Sequence, residues 1–500
     1  MKDAIGFGMG DFYGSGMMTL NGTYVALFWT RFCGLSIQSA QSILGTAAFI
    51  SAASALFFGS FGDALFHFSA GRRFGRRHLM MLATCPLILT GILIWIPGLP
   101  HWAYMVEFAL WIVTGQIFQT AYNALPTEMT DDYRGRTKLS TTRTFIATLS
   151  GTALPLLGGA VLAARGEKAS SYQIFAIGFT LAFALAVFYA WRHTWEMSPR
   201  QAGYGYLEGQ SGHHAFWQHP GLVLARLAQV CRAYASTLRI SAFRKHLAIY
   251  ILVQTAMDVF GGTFVFFVIY NLGQSSAFAS MLLSCTIVSL PLTPVFAWGL
   301  NTLGPRKLYA IDFAGCLVGC AWLCAIWLTA GHLPGPVWTV FTVCGAIFFF
   351  ACKSLCGFMP WGVFPLIPDV DQIVTRKRRS ATFGGIQACL RQCASGLITI
   401  TVGLILGWSG FDATRSSAPR SAQLALAGMM LGWFALTMLV CWWISSSFHL
   451  DSRTDGIITR ETARLAAGGS KADVTPETKA VVEDLTGLPY SQVWPENVRI

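Results

Sequence analysis

The chain has 500 residues, of which 54% are hydrophobic, 14% are aromatic and only 12% are charged. A typical soluble protein has about 25% charged residues, so this chain has too little polar material to cover a water-soluble surface. The mean hydropathy is +0.52. The composition therefore predicts an all-α polytopic membrane protein and argues against secreted, disordered and soluble multidomain chains.

Apolar stretches of about 20 residues, long enough to cross a bilayer as a helix, can be placed twelve times. Six of these spans precede a polar interval, at 4–32, 40–66, 78–97, 101–125, 141–164 and 172–191. Six follow it, at 246–271, 275–300, 308–331, 336–366, 381–408 and 421–447. The first span begins almost at residue 1 without a small-residue cleavage site, so no cleavable signal peptide is expected.

The spans predict four regions in chain order. These are an N-terminal six-helix half (1–191), a central loop (192–245), a C-terminal six-helix half (246–448) and a tail (449–500). In the central loop, Pro220 is expected to open an amphipathic helix that lies on the membrane. The tail is polar and weakly periodic, which predicts a mobile segment with short helical turns.

Basic residues concentrate in alternate loops and account for most of the formal net charge of +12. One set of loops carries Arg72, Arg73, Arg76, Arg77, Arg134, Arg136, Lys138, Arg306, Lys307, Arg376, Lys377, Arg378 and Arg379. The other set carries only Arg165, Lys168, Arg415 and Arg420. By the positive-inside rule, both termini and the central loop are cytoplasmic. The Ala-, Gly- and Arg-rich composition suggests a bacterial inner membrane, and we expect no nucleic-acid partner.

The basic loops repeat between the halves. GRRFGRR (71–77) follows the second span and LGPRK (303–307) follows the eighth. LPTEMTDDYRGRTKLSTTR (125–143) follows the fourth span and LIPDVDQIVTRKRRS (366–380) follows the tenth. Parallel repeats of six helices are the architecture of major facilitator transporters, which bind their substrate at mid-membrane between the halves. The repeat therefore predicts that fold and a small-molecule solute as partner.

Four stretches carry a more specific likeness. They are GMGDF (8–12), GRR (75–77), YNALPTEMTDDYRGRTKLSTTR (122–143) and PWGVFPLIPDVDQIVTRKRRSATFGG (360–385). Together they resemble the glycoside–pentoside–hexuronide:cation symporter family, and the likeness covers residues 4–447. The resemblance implies a twelve-helix transporter that works by alternating access.

Charged residues in these stretches lie at the predicted cytoplasmic helix ends. There, acids and bases can pair across helices and complement helix termini. Such pairs would close the cytoplasmic side in one state and break in the other, although they could also serve only to set topology. The gate candidates are Arg76, Arg77, Glu128, Asp131, Asp132, Arg136, Asp369 and Asp371.

The chain departs from the family at the coupling-ion site. Relatives usually carry two carboxylates one turn apart in the second helix, where they bind the cation. When Gly59 and Asp63 are aligned with the family motif, those positions are Ser51 and Ala55, and no carboxylate lies within 34–62. Hard cations such as Na⁺ prefer oxygen ligands that include charge. The resemblance therefore implies a transporter that is H⁺-coupled or uncoupled.

The resemblance also implies a substrate site. By this alignment the site is lined by Asp11, Ser15, Gln119, Asn123, Arg143 and Arg391. Ser15 and Gln119 replace two carboxylates that hold sugar hydroxyls through charge-assisted hydrogen bonds, which argues against a galactoside. Arg143 keeps the family's fifth-helix arginine, and Arg391 replaces an eleventh-helix lysine.

Ionisable residues at membrane depth are costly and indicate functional sites by default. Asp258, Lys353 and Arg391 lie deepest by residue count. They are interpreted either as a static ion-pair group or as a substrate and proton site in which Asp258 binds the proton. Lys353 and Arg391 in a cavity would suit a carboxylate or phosphate on the substrate. Asp312 and Glu107 lie near span ends and are expected to be interfacial.

Cysteines recur at helical spacing, at Cys316, Cys320 and Cys324, at Cys352 and Cys356, and at Cys389 and Cys393. Thiols on three helices can hold a soft metal. However, no CxxC or paired histidine accompanies them, and small residues pack well between membrane helices. We therefore expect no metal and no cofactor. The sequence also has no P-loop, dinucleotide fingerprint or nucleophile elbow in a suitable context, so no enzyme is expected.

Two functions fit these observations. The first is an H⁺-coupled or facilitative transporter of an organic solute such as an anionic sugar or an oligosaccharide. The second is a lipid or lysolipid transporter or scramblase, or a sensor that transports nothing. Loss of the cation-binding pair keeps the second open, whereas the gate motifs favour the first. In both cases we expect a monomer surrounded by membrane lipid.

Overall fold

The computed structural model describes residues 2–65, 69–130, 133–196, 235–376, 379–415 and 417–495. Within these ranges the chain is almost entirely helical and has no β-strand. The predicted amphipathic helix at Pro220 lies outside the described residues.

Helices occupy the six predicted spans of the N-terminal half. Short helices make up the first span, in which α1 (Lys2–Gly8) and α2 (Gly10–Leu20) are followed by a π-helical turn (Asn21–Val25) and α3 (Ala26–Phe32). The other helices are α4 (Ile37–Ala64), α5 (Ser69–Phe74), α6 (Arg76–Ile88) with a 3₁₀ extension (Leu89–Trp95), α7 (His101–Met129), α8 (Tyr133–Arg165) and α9 (Ala169–His193).

The later spans and the tail are also helical. Their helices are α10 (Ser241–Tyr270), α11 (Ser276–Ser284), α12 (Ser289–Thr329), α13 (Gly335–Val363), α14 (Ile367–Thr375), α15 (Ser380–Trp408), α16 (Arg420–Ala427), α17 (Phe434–Ser446), α18 (Ser452–Ala466) and α19 (Pro476–Thr486). Gly304 interrupts α12 with a φ of 76°, a conformation that glycine adopts without a steric penalty. This break separates the eighth predicted span from the ninth.

Eight helical stretches of the described chain are long and apolar enough to cross a membrane. One of them, Ser276–Thr329, is 54 residues long and contains two predicted spans. The predicted spans at 4–32, 40–66 and 101–125 are helical but are not among the eight.

Packing divides the protein into two compact units. The first comprises described residues of Met1–Gln218, Asp258–Leu290 and Ser395–Met430, and the second those of His219–Met257, Pro291–Ala394 and Leu431–Ile500. Parts of α10, α11 and α15 therefore pack with the N-terminal helices. The predicted boundaries of the halves, loop and tail stay a prediction.

In the first unit, α4 and α15 approach each other closely through two glycines. A Cβ at Gly45 would lie 2.7 Å from the carbonyl oxygen of Gly396, and a Cβ at Gly396 would lie 2.8 Å from that of Gly45. Small residues allow backbones to pack this closely between membrane helices. The two glycines therefore join a helix of the predicted N-terminal half to one of the C-terminal half.

The second unit contains the tail, where the sequence predicts only short helical turns. Instead, α18 and α19 are 15 and 11 residues long. The tail also contacts the region around α14, since the backbone N–H of Trp494 donates to the carbonyl of Ile373 at 3.0 Å. The Arg376 guanidinium lies 4.9 Å from the centre of the Trp494 ring.

The buried face of α18 combines a carboxylate with apolar residues. Glu461 is buried beside Ile457 and Ile458 and accepts two hydrogen bonds from Arg464, at 2.9 and 2.7 Å. These bonds lower the pKa of Glu461. Ile457, Ile458 and Leu465 nevertheless recur at helical spacing on this face, so α18 is amphipathic, but the pattern alone does not indicate what the face packs against.

We expect Asp451→Ala to destabilise α18, because the Asp451 side chain caps the helix by accepting hydrogen bonds from the backbone N–H groups of Arg453 and Thr454. Loss of such a cap costs about 1 kcal/mol. Hydrogen exchange of the α18 amides should therefore accelerate roughly fivefold. Ser452→Ala, next to the cap, is the matched control. Equal exchange rates in the two variants would show that the cap does not stabilise α18.

Candidate functional site

An ion pair joins α2 to α8 in the first unit. Nε of Arg143 donates to Oδ2 of Asp11 at 2.9 Å, and Nη2 lies 3.5 Å from Oδ1. The guanidinium also lies 4.9 Å from the centre of the Tyr122 ring, within range of a cation–π interaction. The Tyr122 hydroxyl donates to the carbonyl of Phe7 at 2.8 Å, which fixes the ring. The structure thus brings together two of the predicted substrate residues.

Gln119 of α7 completes this group, which we call the Arg143 cluster (Asp11, Gln119 and Arg143). Gly14 leaves room for the side chains of Gln119 and Asp11 next to its backbone, because a Cβ at position 14 would lie 2.4 Å from Nε2 of Gln119 and 2.7 Å from Oδ1 of Asp11. Amide, carboxylate and guanidinium groups from three helices therefore lie side by side. Such groups can donate and accept hydrogen bonds with a polar solute.

Two other predicted residues of this site, Ser15 and Asn123, lie one turn along the chain from Asp11 and Gln119. Ser15 is half-buried and faces α8, where a Cβ at Gly151 would lie 3.4 Å from the Ser15 hydroxyl. Asn123, one turn after Gln119 on α7, is exposed. These placements are compatible with lining residues, and their role stays a prediction.

The two positions that the family resemblance assigns to the coupling cation carry no charge. Ser51 donates a hydrogen bond to Oε1 of Gln116 at 3.1 Å, and Nε2 of Gln116 donates to the Thr120 hydroxyl at 3.3 Å. Ala55, one turn along α4, is half-buried. A chain of neutral polar groups therefore occupies the place of the carboxylate pair.

The predicted group of Asp258, Lys353 and Arg391 is divided between the two units. Asp258 belongs to the first unit and the two cations to the second, and all three are half-buried. Nζ of Lys353 lies 5.8 Å from the centre of the Phe350 ring. The ion-pair and proton-site interpretations both stay predictions.

Asp312 was expected at an interface and is instead inside the second unit, where it is 1% exposed. Distance from the helix end indicates depth in the membrane but not the direction in which a side chain faces. Asp312 lies on the same face of α12 as the buried residues Tyr309, Phe313 and Cys316. Glu107 is half-buried.

Several gate candidates meet at one end of the helices, which we call the basic end because its loops carry the arginine-rich stretches. Oε1 of Glu128, at the end of α7, lies 2.8 Å from Nη2 of Arg76 and 3.5 Å from Nε of Arg77. All three side chains are nearly buried. Three of the predicted gate residues therefore form one ion-pair group.

A carboxylate that sequence reasoning did not single out completes the group. Glu196, just after α9, accepts hydrogen bonds from the backbone N–H groups of Arg76, Arg77 and His78 at 2.5, 2.6 and 3.2 Å. It thus caps the start of α6, where the helix dipole favours an anion. Burial raises the pKa of Glu196, although the three backbone hydrogen bonds act in the opposite direction.

In the second unit, Asp371 is fully buried and paired with Arg379. The guanidinium donates to both carboxylate oxygens, at 2.8 and 2.6 Å, and its Nη1 donates to the Ser236 hydroxyl at 2.7 Å. Asp369 is half-buried. Asp131, Asp132 and the side chain of Arg136 lie outside the described residues, so their gating role stays a prediction.

A second network, also absent from the sequence predictions, lies at the opposite end of the helices in the first unit. Nη1 of Arg31, at the end of α3, donates to Oε2 of Glu167 at 2.6 Å. Oε1 of Glu167 accepts from the backbone N–H and the hydroxyl of Ser276, at 2.5 and 2.7 Å. The Tyr172 hydroxyl donates to the same serine at 3.1 Å.

This Arg31–Glu167–Ser276 bridge connects the first span, the loop before α9 and the start of α11. It therefore crosses between the predicted halves. Burial alone would raise the pKa of Glu167, but hydrogen bonds from Ser276 and Arg31 bring it below its usual value. The carboxylate is thus ionised, as the bridge requires.

Comparison with known proteins identifies the family. A family model described as MFS/sugar transport protein matches residues 6–452. The chain belongs to this family. The resemblance to glycoside–pentoside–hexuronide:cation symporters is thereby confirmed.

Two curated relatives of this MFS sugar-type transporter are named carriers or symporters. A glucuronide carrier protein homolog of Escherichia coli K12 is 20% identical over 466 residues, which cover 88% of this chain and 92% of that protein. An uncharacterized symporter of Synechocystis is 28% identical over 183 residues, which cover 36% of this chain and about a third (32%) of that protein.

Solved structures share the fold of the transporter at low sequence identity. The xylose transporter XylE of E. coli, in a partially occluded inward-open conformation, matches with a TM-score of 0.58 and 15% identity, covering 90% of this chain and 98% of that one. The nucleoside transporter NupG matches with a TM-score of 0.57 and 13% identity, covering 89% and 99%. The predicted major facilitator fold is therefore confirmed.

Gly75→Ala is expected to destabilise the basic end of the transporter. Gly75 has a φ of 85°, and a Cβ there would lie 2.4 Å from Oε1 of Glu196. Backbone strain of this kind costs about 1–3 kcal/mol, and displacement of Glu196 would uncap α6. We expect a lower midpoint of thermal unfolding for the purified protein. Gly178→Ala, on a helix with open space around the new Cβ, is the control, and equal midpoints would argue against the cap.

Glu167→Gln should weaken the bridge at the opposite end. Loss of a hydrogen bond to a charged group costs about 1.5–3 kcal/mol, so the amides at the start of α11 should exchange at least about tenfold faster. The control is Lys168→Gln, an exposed neighbour. A lowered pKa means that the stabilisation is present above the ordinary glutamate value of about 4.3 and is lost only as the pH falls through the lowered value.

In the wild-type protein, the protection of the amides at the start of α11 against hydrogen exchange, corrected for intrinsic exchange rates, should accordingly stay constant from alkaline pH down to about pH 5. A decline of that protection around neutral pH, or identical exchange in Glu167→Gln and Lys168→Gln, would contradict the assigned role of Glu167.

Proposed function

We propose that the protein transports an anionic sugar or an oligosaccharide by alternating access, with H⁺ as the coupling ion or with no coupling ion. The Arg143 cluster is the observation that carries the proposal. The Arg143 side chain is 29% exposed. Its bonds to Asp11 use Nε and Nη2, and none of the described residues accepts a hydrogen bond from Nη1. An arginine in this position can hold a carboxylate on the solute with its remaining N–H groups.

The name of one relative supports the substrate class. That relative is called a glucuronide carrier protein homolog, and a glucuronide is a sugar acid. Asp11 holds the guanidinium through Nε and weakly through Nη2. An incoming carboxylate would therefore meet an oriented donor rather than a freely moving one, which reduces the entropic cost of binding.

The neutral chain of Ser51, Gln116 and Thr120 supports the proposed mode of coupling. These hydroxyl and amide groups satisfy one another through hydrogen bonds, and they supply none of the negative charge that a Na⁺ site favours. We therefore propose that transport does not depend on Na⁺. Asp258 remains the candidate proton site.

The two helix ends support a direction of opening. The Arg31–Glu167–Ser276 bridge crosses between the predicted halves. By contrast, the Arg76–Glu128 and Asp371–Arg379 ion pairs each join residues of one half, and Glu196, which caps α6, belongs to the central loop. We propose that the basic end faces the cytoplasm of an inner membrane and that the structure is closed on the outer side. Rocking of the halves would then require the bridge to break.

Transport in proteoliposomes tests the proposal. The solute panel contains a glucuronide, an uncharged glycoside and a pentose, each measured in counterflow and under an imposed Na⁺ or H⁺ gradient. We expect exchange of the glucuronide, no stimulation by Na⁺, and at least about tenfold lower uptake in Arg143→Gln, since a hydrogen bond to a charged group is worth about 1.5–3 kcal/mol. Lys138→Gln, an exposed charge on the same helix, should transport normally.

Several results would overturn the proposal. Preference for the uncharged solutes or full activity of a folded Arg143→Gln variant would remove the anionic substrate, and stimulation by Na⁺ would remove the proposed coupling. If no solute exchanges while labelled lipid crosses the bilayer, the lipid-transporter alternative is correct. A double variant, Asp11→Asn with Arg143→Gln, removes both charges together and controls for the effect of an unpaired Asp11.

A further inference from the structure

The second unit buries a carboxylate among sulfur atoms contributed by three helices. One ligand atom each from Asp312 and Cys316 of α12 and Cys356 of α13 lies within 4.8 Å of the other two. Sγ of Cys316 lies 3.8 Å from Oδ1 of Asp312. All three residues are almost completely inaccessible to solvent.

Helix α17 adds two further sulfur atoms. Sγ of Cys356 lies 3.7 Å from Sδ of Met438. Cys441, one turn later on the same helix, is fully buried and lies close enough to Asp312 and Cys356 for electrostatic interaction. The cluster therefore offers one hard oxygen donor, three thiols and a thioether.

The carboxylate is poorly satisfied by its protein surroundings. Oδ2 of Asp312 is buried without a hydrogen-bond partner among the described residues, and so is the hydroxyl of Tyr309, one turn before it. The thiols of Cys316 and Cys356 both lie within hydrogen-bonding reach of the Asp312 carboxylate, but thiols are weak donors and compensate it only partly. A buried polar group without a hydrogen-bond partner lowers the free energy of unfolding by about 1–3 kcal/mol and therefore needs a physical explanation.

A divalent cation would provide that compensation. Two thiolates and one carboxylate carry three negative charges, and a divalent ion together with the Lys353 ammonium carries three positive charges. Lys353 precedes Cys356 by one turn on α13 and interacts electrostatically with Cys316. The cluster with its ion and Lys353 would thus be electrically neutral, which the interior of a membrane protein favours.

We propose that Asp312, Cys316 and Cys356 bind Zn²⁺, with the uncharged thioether of Met438, 3.7 Å from Cys356, as the fourth ligand. Zn²⁺ is bound by thiolates at about 2.3 Å and by carboxylates at about 2.0–2.2 Å, so neighbouring ligand atoms of a tetrahedral site lie roughly 3.3–3.8 Å apart. The Cys316–Asp312 separation fits this range. Binding would release the two thiol protons, and any proton held by Asp312, to solvent.

A site closed by four protein ligands holds its metal as a structural element. The ion would fasten α12, α13 and α17 to one another inside the second unit. Because this role is structural, it does not depend on the proposed transport function, and its test does not use transport activity.

The test uses the full-length protein purified in detergent without chelator. We expect about one bound Zn²⁺ per chain by elemental analysis, a lower midpoint of thermal unfolding after chelation, and recovery on adding Zn²⁺ back. Titration with Cd²⁺ should produce the ultraviolet charge-transfer band of a metal thiolate. Loss of a residue that only hydrogen-bonds to a metal ligand weakens metal binding by roughly 10–100-fold. Removal of a ligand itself, in Cys316→Ser, Cys356→Ser or Asp312→Asn, should lower the Zn²⁺ affinity by more than this.

Cys320→Ser is the matched control, because Cys320 is buried on the same helix but lies outside the ligand group. If a ligand variant is poorly folded, the wild-type stoichiometry and the Cd²⁺ band still decide the outcome. The proposal fails if the wild-type protein binds no Zn²⁺ and shows no Zn²⁺-dependent stabilisation. It also fails if Cys316→Ser and Cys356→Ser bind as tightly as Cys320→Ser, or if Ag⁺ binds and Zn²⁺ does not.

Discussion

A charge that leaves water must be compensated by an opposite charge or by oriented hydrogen-bond donors, and this constraint determines where the helices of the transporter meet. Arg143 compensates Asp11 between α2 and α8. Three backbone N–H groups at the start of α6 compensate Glu196, and Arg31 with Ser276 compensates Glu167. Apolar packing alone would leave membrane helices free to associate in several ways, since lipid is as apolar as the helix surface. The buried charges make one arrangement specific.

The charged networks differ in what they join. At the basic end, the Arg76–Glu128 ion pair joins α6 to α7, and Glu196 of the central loop caps α6, so in the proposed mechanism these contacts would move together. The Arg31–Glu167–Ser276 bridge links the first span to α11, and in the proposed mechanism it would dissociate when the halves separate at that end. Alternating access requires both kinds of contact, because each half has to stay intact while the interface between halves opens and closes. The hydrogen bond from Ser51 to Gln116 joins α4 to α7 without introducing a charge.

Much of the fold could be predicted from the sequence, because a membrane span needs a long apolar run and basic loops repeat. The family resemblance placed Asp11 and Arg143 in one site, but the sequence did not predict that they form an ion pair. The roles of Glu196 and Glu167 were not predicted, because their partners include backbone N–H groups, which every residue has. Asp312 could be placed near a helix end but not on a face, and its thiol neighbours come from different helices, so no local spacing such as CxxC marks the cluster. The packing of the tail was not predicted, because the apolar face of α18 does not by itself indicate what it packs against.

The cap formed by Glu196 also bears on the order in which the protein is made. Its carboxylate binds backbone groups that precede it by about 120 residues, and the chain is synthesised from the N-terminus. While the ribosome produces spans three to six, Arg76 and Arg77 are already present, Glu128 follows, and Glu196 comes only after α9 is complete. The start of α6 consequently remains uncapped during most of insertion. The cap that Glu196 forms on α6 can be made only after the sixth span has entered the membrane. Assembly of this half is therefore coupled to completion of its own synthesis.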